Sequence, residues 1–504
     1  MVWSNTLSYL TTFNNIHHLD FLAGYEIDDT YNDYLSGEAY NFTTPDKHAI
    51  SNGMKTVSVG GSDSRYRLVS YLSRLNYDYK NKYYLGASFR VDGSSRLHRD
   101  NRWGTFWSVS GAWRTIEEEF MQPVKDWLTD LRIRASYGVN GTLPSDYFGY
   151  MGLSSISGGY LEQPGIQMSQ IANPNLKWET NYNMNIGLDF GFWDRLNFTI
   201  EYYTRTTKNL LMDCPVSMTT GFSSYLMNIG EVKNKGIELT INSTNIKIKD
   251  FSWNTTFNLG HNSNKVVKLD GEQTQIVSGT QIHKVGSSYR TFYVQEFAGI
   301  NPETGNPLFY TNELDENGNY IKEITENSKN AQFIPYKHAE PTVNGGISNS
   351  LRYKWLDLNF LFSYQFGGYS YDTWAQKTEH GGYDSYANIP TYYRDSWKKP
   401  GDQTNIEVYM LGKSSSVSMH KITSSRRIHS TDYFRLKNIT FGITLPKEWT
   451  NKINIGNVRF YASASNLWTW AAYDNYDPEA VSAGSATQTT PPLKTVTFGL
   501  NINF

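Results

Sequence analysis

At 504 residues, with 46 Lys and Arg against 48 Asp and Glu, the chain carries a formal net charge of -2, which excludes a basic surface built for nucleic acid. A mean hydropathy of -0.54 and the lack of an apolar run of about 18 residues exclude a helical membrane protein, but not a β-barrel, which hides its hydrophobicity in every second residue. The single cysteine, Cys214, excludes an internal disulfide, while 37 Tyr, 14 Trp and 40 Gly suit strands and loops better than helices.

The first residues lack the basic, apolar and small sequence of a signal peptide; Val2 to Thr12 already reads as a strand and passes through FNNIHH to a second at Leu19 to Ile27. A polar gap, Asp28 to Arg65, precedes a third strand at Tyr66 to Tyr79, which turns at Asn81 and Lys82 into a fourth at Tyr83 to Val91. Asp92 to Arg102 links this to Trp103 to Arg114, whose Trp107, Val109 and Trp113 share a face. Ile116 to Trp127 reads as a short helical turn with Glu117, Glu118 and Glu119 on a solvated face. A sixth strand, Leu131 to Gly138, alternates Leu131, Ile133, Ala135 and Tyr137 with Arg132, Arg134 and Ser136, which implies a wet face opposite an apolar one.

The clearest stretch is Asn181 to Tyr203. Tyr182, Met184, Ile186, Leu188, Phe190 and Phe192 alternate with Asn181, Asn183, Asn185, Gly187, Asp189 and Gly191; after Trp193 and Asp194 the pattern resumes with Leu196, Phe198, Ile200 and Tyr202. Such persistence exceeds the five or six residues of an ordinary strand and matches the roughly 9 to 11 that a tilted strand needs to cross a hydrocarbon layer. Lys235 to Asn245 and Phe251 to Gly260 follow, then an irregular region from Asn262 to Pro341. Thr342 to Tyr353 and Trp355 to Phe366 form another hairpin, with Leu356, Leu358, Phe360, Phe362, Tyr364 and Phe366 as its outward stripe. After a loop from Gly367 to Thr431 come Tyr433 to Leu445, whose register slips near Asn438 and predicts a bulge, then Val458 to Trp468 and Thr495 to Phe504.

The count is about fifteen strands. Connections after odd strands are short and those after even strands mostly long, the asymmetry of periplasmic turns and extracellular loops; it predicts an all-β fold, a transmembrane antiparallel barrel of which this is one part. Since single-chain bacterial barrels have even strand numbers and start on the periplasmic side, the parity predicts an odd number of strands before Met1.

RLVSYLSRLNYDYKNKYYLGASFRVDGSSRL, NRWGTFWSVSGAWRTIEEEF, LTDLRIRASYGVNG, NPNLKWETNYNMNIGLDFGF, TTGFSSYLMNIGEVKNKGIEL, AGINPETGNPLFY, FRLKNITFGITLP and VTFGLNINF, in this order, resemble the C-terminal barrel of the SusC/RagA family of TonB-dependent transporters. The resemblance implies that residues 1–504 are the C-terminal part of a 22-stranded barrel, with an N-terminal plug, a TonB box and the first seven or so strands lying outside them. It further implies an outer-membrane location in Bacteroidota and active import of oligosaccharides or peptides, the alternatives being a TonB-dependent siderophore or cobalamin receptor and a passive structural or adhesive surface barrel. The implied partners are a SusD-like surface lipoprotein acting as a lid, TonB, ExbB and ExbD acting through the plug, and the barrel-assembly machinery.

No catalytic constellation stands out, and neither a cofactor nor a metal is expected. His17 and His18 read as turn residues; Asp315, Asn317, Asn319 and Glu326 fall at calcium-loop spacing, but Tyr320 stands where that loop demands glycine, so DENGNY reads as an Asn-Gly turn. The candidate ligand- or lid-binding surface is aromatic: Tyr369, Tyr371, Trp374, Tyr383, Tyr386, Tyr392, Tyr393 and Trp397 crowd one long loop, where rings can stack on a sugar or a protein lid, or else pack the loop itself. Val496, Phe498, Leu500, Ile502 and Phe504 form an outward stripe, which the resemblance implies is an assembly signal.

Overall fold

The computed structural model describes residues 1–504 except 48, 161–162, 270–273, 384–387, 413, 416, 420, 451, 453–454, 488 and 504. Fifteen strands follow one another in chain order in one sheet. They are β1 (Val2–Phe13), β2 (His17–Phe42), β3 (Gly53–Tyr79), β4 (Tyr83–Ser94), β5 (Trp103–Trp113), β6 (Leu128–Thr142), β7 (Glu179–Phe192) and β8 (Leu196–Lys208). Then come β9 (Glu231–Lys247), β10 (Phe251–Lys268), β11 (Val343–Tyr353), β12 (Leu356–Phe366), β13 (Tyr433–Thr444), β14 (Asn457–Ala471) and β15 (Thr495–Asn503). The described pairings within this sheet are antiparallel, as connections without crossover require.

Burial along these strands is inverted relative to a water-soluble protein. In β7 the polar Asn181 and Asp189 are buried, while Ile186 and Leu188 are exposed. In β5, Trp103, Trp107 and Val109 are exposed on one face; Ile133 and Tyr137 of β6 and Tyr71 and Leu75 of β3 do the same. The buried face is held by polar bonds. Asp189 accepts from Arg132 Nε at 2.9 Å and from Thr199 Oγ1 at 2.9 Å. Asn181 Oδ1 accepts from Arg205 and, at 2.7 Å, from Thr207. A surface of exposed Leu, Ile, Phe and Trp over a satisfied polar face is stable only against an apolar solvent.

The short connections use the backbone that tight hairpins demand. Trp193 and Asp194 both take positive φ, 51° and 53°, as expected for the β7–β8 turn; between β3 and β4 the positive-φ pair is Lys80 and Asn81, one residue earlier than the sequence implied. The predicted bulge is present: Leu361 pairs with Asn438 and Phe362 with Leu436, which leaves Lys437 as the extra residue. Gly345 faces Tyr364 across β11 and β12, where a Cβ would fall 2.5 Å from Tyr364 Oη; the ring lies over the glycine, its hydroxyl donates to Asn258 O at 2.8 Å, and Tyr364 is therefore buried rather than part of an exposed stripe.

The polar gap from Asp28 to Arg65 is a correction: β2 and β3 stay paired far beyond the predicted spans, out to Phe42 opposite Gly53, with one irregularity at Glu38/Ala39. Residues 31–42 are exposed on nearly every side, so no one-sided stripe marked them, yet backbone pairing begun lower in the hairpin simply continues. The irregular region 262–341 likewise holds a four-stranded and a three-stranded sheet.

The chain forms two compact units, Met1–Glu118 with Ile133–Asn185 and Arg205–Glu231, and Glu119–Arg132 with Ile186–Thr204 and Val232–Phe504. The first has a core of Leu97, Phe106, Leu176 and Trp178. The second has one of Phe292, Val294, Tyr371 and Ile428 and another of Phe309, Ala331, Met419 and Ile422.

Leu188→Arg should destabilise the inserted protein by about 2–4 kcal/mol if it lies toward the membrane midplane, and by less toward the edges. Asn254→Arg, on the polar face of β10, should cost far less. Urea titration of both variants in the same bilayer checks this, and equal costs would contradict the assignment of faces.

Candidate functional site

Beyond the ends of β12, β13 and β14, three loop segments converge. The strand Tyr369–Asp372 pairs antiparallel with Ile428–Ser430 and parallel with Ser485–Ala486. Asp372 then starts the helix Thr373–Thr378, its carboxylate accepting from the Ala375 N–H at 2.7 Å as an N-cap. The other carboxylate oxygen accepts from Tyr473 at 3.1 Å, and the Tyr473 ring stacks on His429 with centroids 3.7 Å apart and planes at 3°.

Below this layer the charges are paired. Arg435, 2% exposed, donates to Asp477 at 2.6 Å, to Thr469 Oγ1 at 3.0 Å and to Glu479, which also accepts from Lys437 at 2.6 Å and Tyr433 at 3.2 Å. Arg427, also buried, donates to Glu379, the acceptor of the Tyr392 hydroxyl. Ionic groups out of water hold only when paired, so these bonds fix the loops that carry them.

Between these segments lies a cleft of roughly 600 Å³, lined among others by Trp374, Asp474, Asn475, Tyr476, Thr487 and Arg435. Trp374, Asp474 and Asn475 are exposed at it. Asp372 and Asp477 are committed to structural bonds, and Tyr476 is tied to Ser370 through its hydroxyl. The cleft offers an aromatic face, the Asp474 carboxylate, which makes no hydrogen bond among the described residues, and the Asn475 amide, whose Nδ2 donates to Tyr473 at 2.7 Å, a set that suits polar, ring-bearing or hydroxyl-rich molecules. Burial pushes the Tyr476 phenol up to about 12, so it stays protonated; burial also holds His429 below the ordinary imidazole value.

Of the eight loop aromatics singled out in the sequence, the structure brings one, Trp374, to this cleft. Tyr371 and Tyr393 are buried inside the loop fold, and Tyr392 is bonded to Glu379. Trp397 donates from Nε1 to Pro302 O at 2.7 Å, and Tyr369 receives Lys337 Nζ at 5.2 Å from its centroid. Tyr383 is exposed, with Lys421 Nζ 5.2 Å from its ring, and Tyr386 lies outside the described residues. Val496, Phe498, Leu500 and Ile502 are all exposed on β15, paired in register with β14; Phe504 lies outside the described residues. The residues of the cleft that sequence reading missed, Asp474, Asn475 and Tyr476, sit in the short run YDNYDPEA, whose alternating aromatic and amide or acid character is the signal that could have found them.

Asp315 holds its own turn: its carboxylate accepts from the Asn317 and Asn319 N–H groups at 2.9 and 2.8 Å, with Gly318 at φ +80°. Glu326 instead serves Thr304 and Asn306, at 2.7 and 3.1 Å, so the calcium-spaced residues do not form one ligand set. His17 bonds Tyr77 and His18 bonds Thr12, at 2.7 and 2.9 Å, on either strand beside the first turn. Glu118 is not merely solvated: it accepts from Tyr83 at 2.6 Å, Trp113 at 3.1 Å and Lys82 at 3.3 Å, and the first two bonds hold its carboxyl below the usual range.

An antiparallel sheet of strands with one apolar and one polar face, joined by short turns and long loops, defines an outer-membrane β-barrel. The chain belongs to the family described as TonB dependent receptor-like, beta-barrel, whose model matches residues 2–312. It is 32% identical to the TonB-dependent receptor P3 of Formosa agariphila, over 99% of this chain and 52% of the relative, and 30% identical to the TonB-dependent receptor SusC of Bacteroides thetaiotaomicron, over 94% and 47%. Among solved structures it resembles the RagAB peptide transporter, with a TM-score of 0.87 and 27% identity over all of this chain and 55% of that one. The chain thus spans about half the length of the relatives it matches. These likenesses bear out the SusC/RagA resemblance and the outer-membrane location.

Arg435→Met should leave Asp477 without its cation and Glu479 with Lys437 alone, a loss of about 3–5 kcal/mol concentrated in the 472–489 segment. Hydrogen exchange across that segment checks it, since unchanged protection would contradict a structural role for the pair. Because His429 is held neutral by burial, its contribution to stability is full above the ordinary value of 6.5 and declines as pH falls through it, where the unfolded chain takes up the proton. Limited proteolysis of these loops should therefore accelerate below about pH 6.5 in the native protein, and His429→Phe should flatten the change.

Proposed function

We propose that the protein serves active uptake of oligomeric nutrients across the outer membrane, with the loop cleft at Trp374 and Asp474–Tyr476 as a substrate contact. The observation that carries this reading is a pre-formed cleft that combines an exposed indole with a carboxylate and an amide on a rigid, ion-paired base. Oligosaccharides suit it best: the apolar face of a sugar ring stacks on indole while its hydroxyls bond to Asp474 and Asn475.

Energy comes through TonB with ExbB and ExbD, acting on a plug segment, and a SusD-like lipoprotein closes over the long loops; the exposed rings of Trp374 and Tyr383 are available to it. The TonB-dependent names of the relatives and the likeness to the RagAB peptide transporter support this arrangement. A peptide substrate is the second reading, favoured by the likeness to a peptide transporter.

Uptake of labelled oligosaccharide and peptide pools by cells producing the protein separates the two. Trp374→Ala with Asn475→Ala should lower uptake of the true class by about tenfold, equivalent to roughly 1.4 kcal/mol, at unchanged surface level. Unaltered uptake of both pools would refute the cleft's role.

A further inference from the structure

Trp3, Tyr25, Tyr71 and Trp103 form a continuous row of rings across β1, β2, β3 and β5, with successive centroids 5.9, 5.0 and 6.4 Å apart. Trp3, Tyr71 and Trp103 are exposed on the apolar face, so the row marks the level where hydrocarbon gives way to headgroups. On the same alternate face of the β2–β3 ladder, the register continues from Tyr25 opposite Tyr71, through Ile27 opposite Val69, to Asp29 opposite Arg67 and Tyr31 opposite Arg65. Two arginines therefore stand just beyond the aromatic row, pointing outward on the long-loop side of the sheet.

Their arrangement is pre-formed. Asp29 accepts from Arg65 Nε and Nη2 at 2.7 and 2.5 Å and from Arg67 Nε and Nη2 at 3.2 and 2.5 Å, while both arginine side chains remain about half exposed, at 59% and 54%. Among the described residues, the Nη1 groups of both donate no hydrogen bond. They border a cleft of roughly 470 Å³ that also takes in Arg102, Ser95 and Trp103. Arg102 Nε is shielded from solvent and has no hydrogen-bond partner among the described residues. Two guanidiniums thus share one carboxylate in a cleft that Arg102 also lines, an excess of positive charge in a concave site at headgroup depth.

We propose that this cleft binds a phosphorylated lipid headgroup of the outer leaflet. Guanidinium forks match phosphate oxygens, Asp29 keeps two of them side by side so that little side-chain freedom is lost on binding, and Trp103 anchors the acyl side of the same molecule. The site faces lipid rather than the polar interior, so its occupant reaches it from the membrane. Binding there would fix the height of the β2–β3 hairpin relative to the bilayer.

The test uses the protein in nanodiscs of phosphatidylcholine containing monophosphoryl lipid A, with retained lipid counted by native mass spectrometry. The native protein should retain the phosphorylated lipid. Arg65→Gln should reduce retention by about tenfold and Arg65→Gln with Arg67→Gln should abolish it, whereas Arg99→Gln, an exposed arginine of the connection between β4 and β5, should leave it unchanged. Arg65 is exposed and outside every core, so the single variant keeps the test valid if the double variant fails to fold. Equal retention by the native protein and Arg65→Gln would overturn the proposal, as would equal retention of dephosphorylated lipid A. Displacement of the lipid by an equal concentration of inorganic phosphate would also overturn it, by showing a site for free anions.

Discussion

The structure depends on one constraint: a backbone that meets hydrocarbon must satisfy every N–H and C=O within the protein, and strands do so only by pairing with strands on both sides. Given that pairing, alternation decides the rest. Each strand presents one set of side chains to lipid and the other to a polar face, and the exposed Ile186 and Leu188 beside the buried Asn181 and Asp189 are the local expression of it. The exception obeys the same physics. Asn349 shares a face with Phe360 of β12, but it is buried and its amide oxygen accepts from Trp253 Nε1 and Thr255 Oγ1, so that oxygen does not meet lipid bare.

From the strand ends, the polar face continues into the loops as charge pairs. Arg435 belongs to β13, yet its partners Asp477 and Glu479 come from the connection after β14, so the sheet itself anchors a loop more than forty residues further on. That anchoring lets a cleft with exposed Trp374 and Asn475 exist on a long connection without collapsing on folding. A cleft on loops needs this support because its exposed indole, amide and carboxylate contribute little to stability while they face solvent.

Strands such as β7 and β12 were legible because lipid on one side and polar groups on the other impose a period of two that no loop imitates. The continuation of β2 and β3 past Ile27 was not, because Tyr31 to Phe42 meets water on both faces and carries no such period. The aromatic loop stood out in the sequence as a crowd of rings, but composition could not divide Tyr371 and Tyr393, which fill the loop's interior, from Trp374 and Tyr383, which face out. That division depends on partners distant in sequence: Tyr371 lies against Phe292 and Val294, and Tyr392 is bonded to a carboxylate that Arg427 neutralises. The cleft escaped notice for the same reason, since Trp374 and Tyr476 meet only after 101 intervening positions are folded away.

The most direct test of the alternation is a cysteine scan of Asn185 to Phe190 in the membrane, reading each spin label's collisions with a lipid-soluble and a water-soluble quencher. Cys214 leaves the background low, because it is buried and burial pushes its thiol up to about 11. Lipid-phase collisions peaking at positions 186, 188 and 190 and falling at 185, 187 and 189 are the result this structure predicts. A profile with no period of two, or one with the aqueous quencher reaching positions 186 and 188, would contradict it.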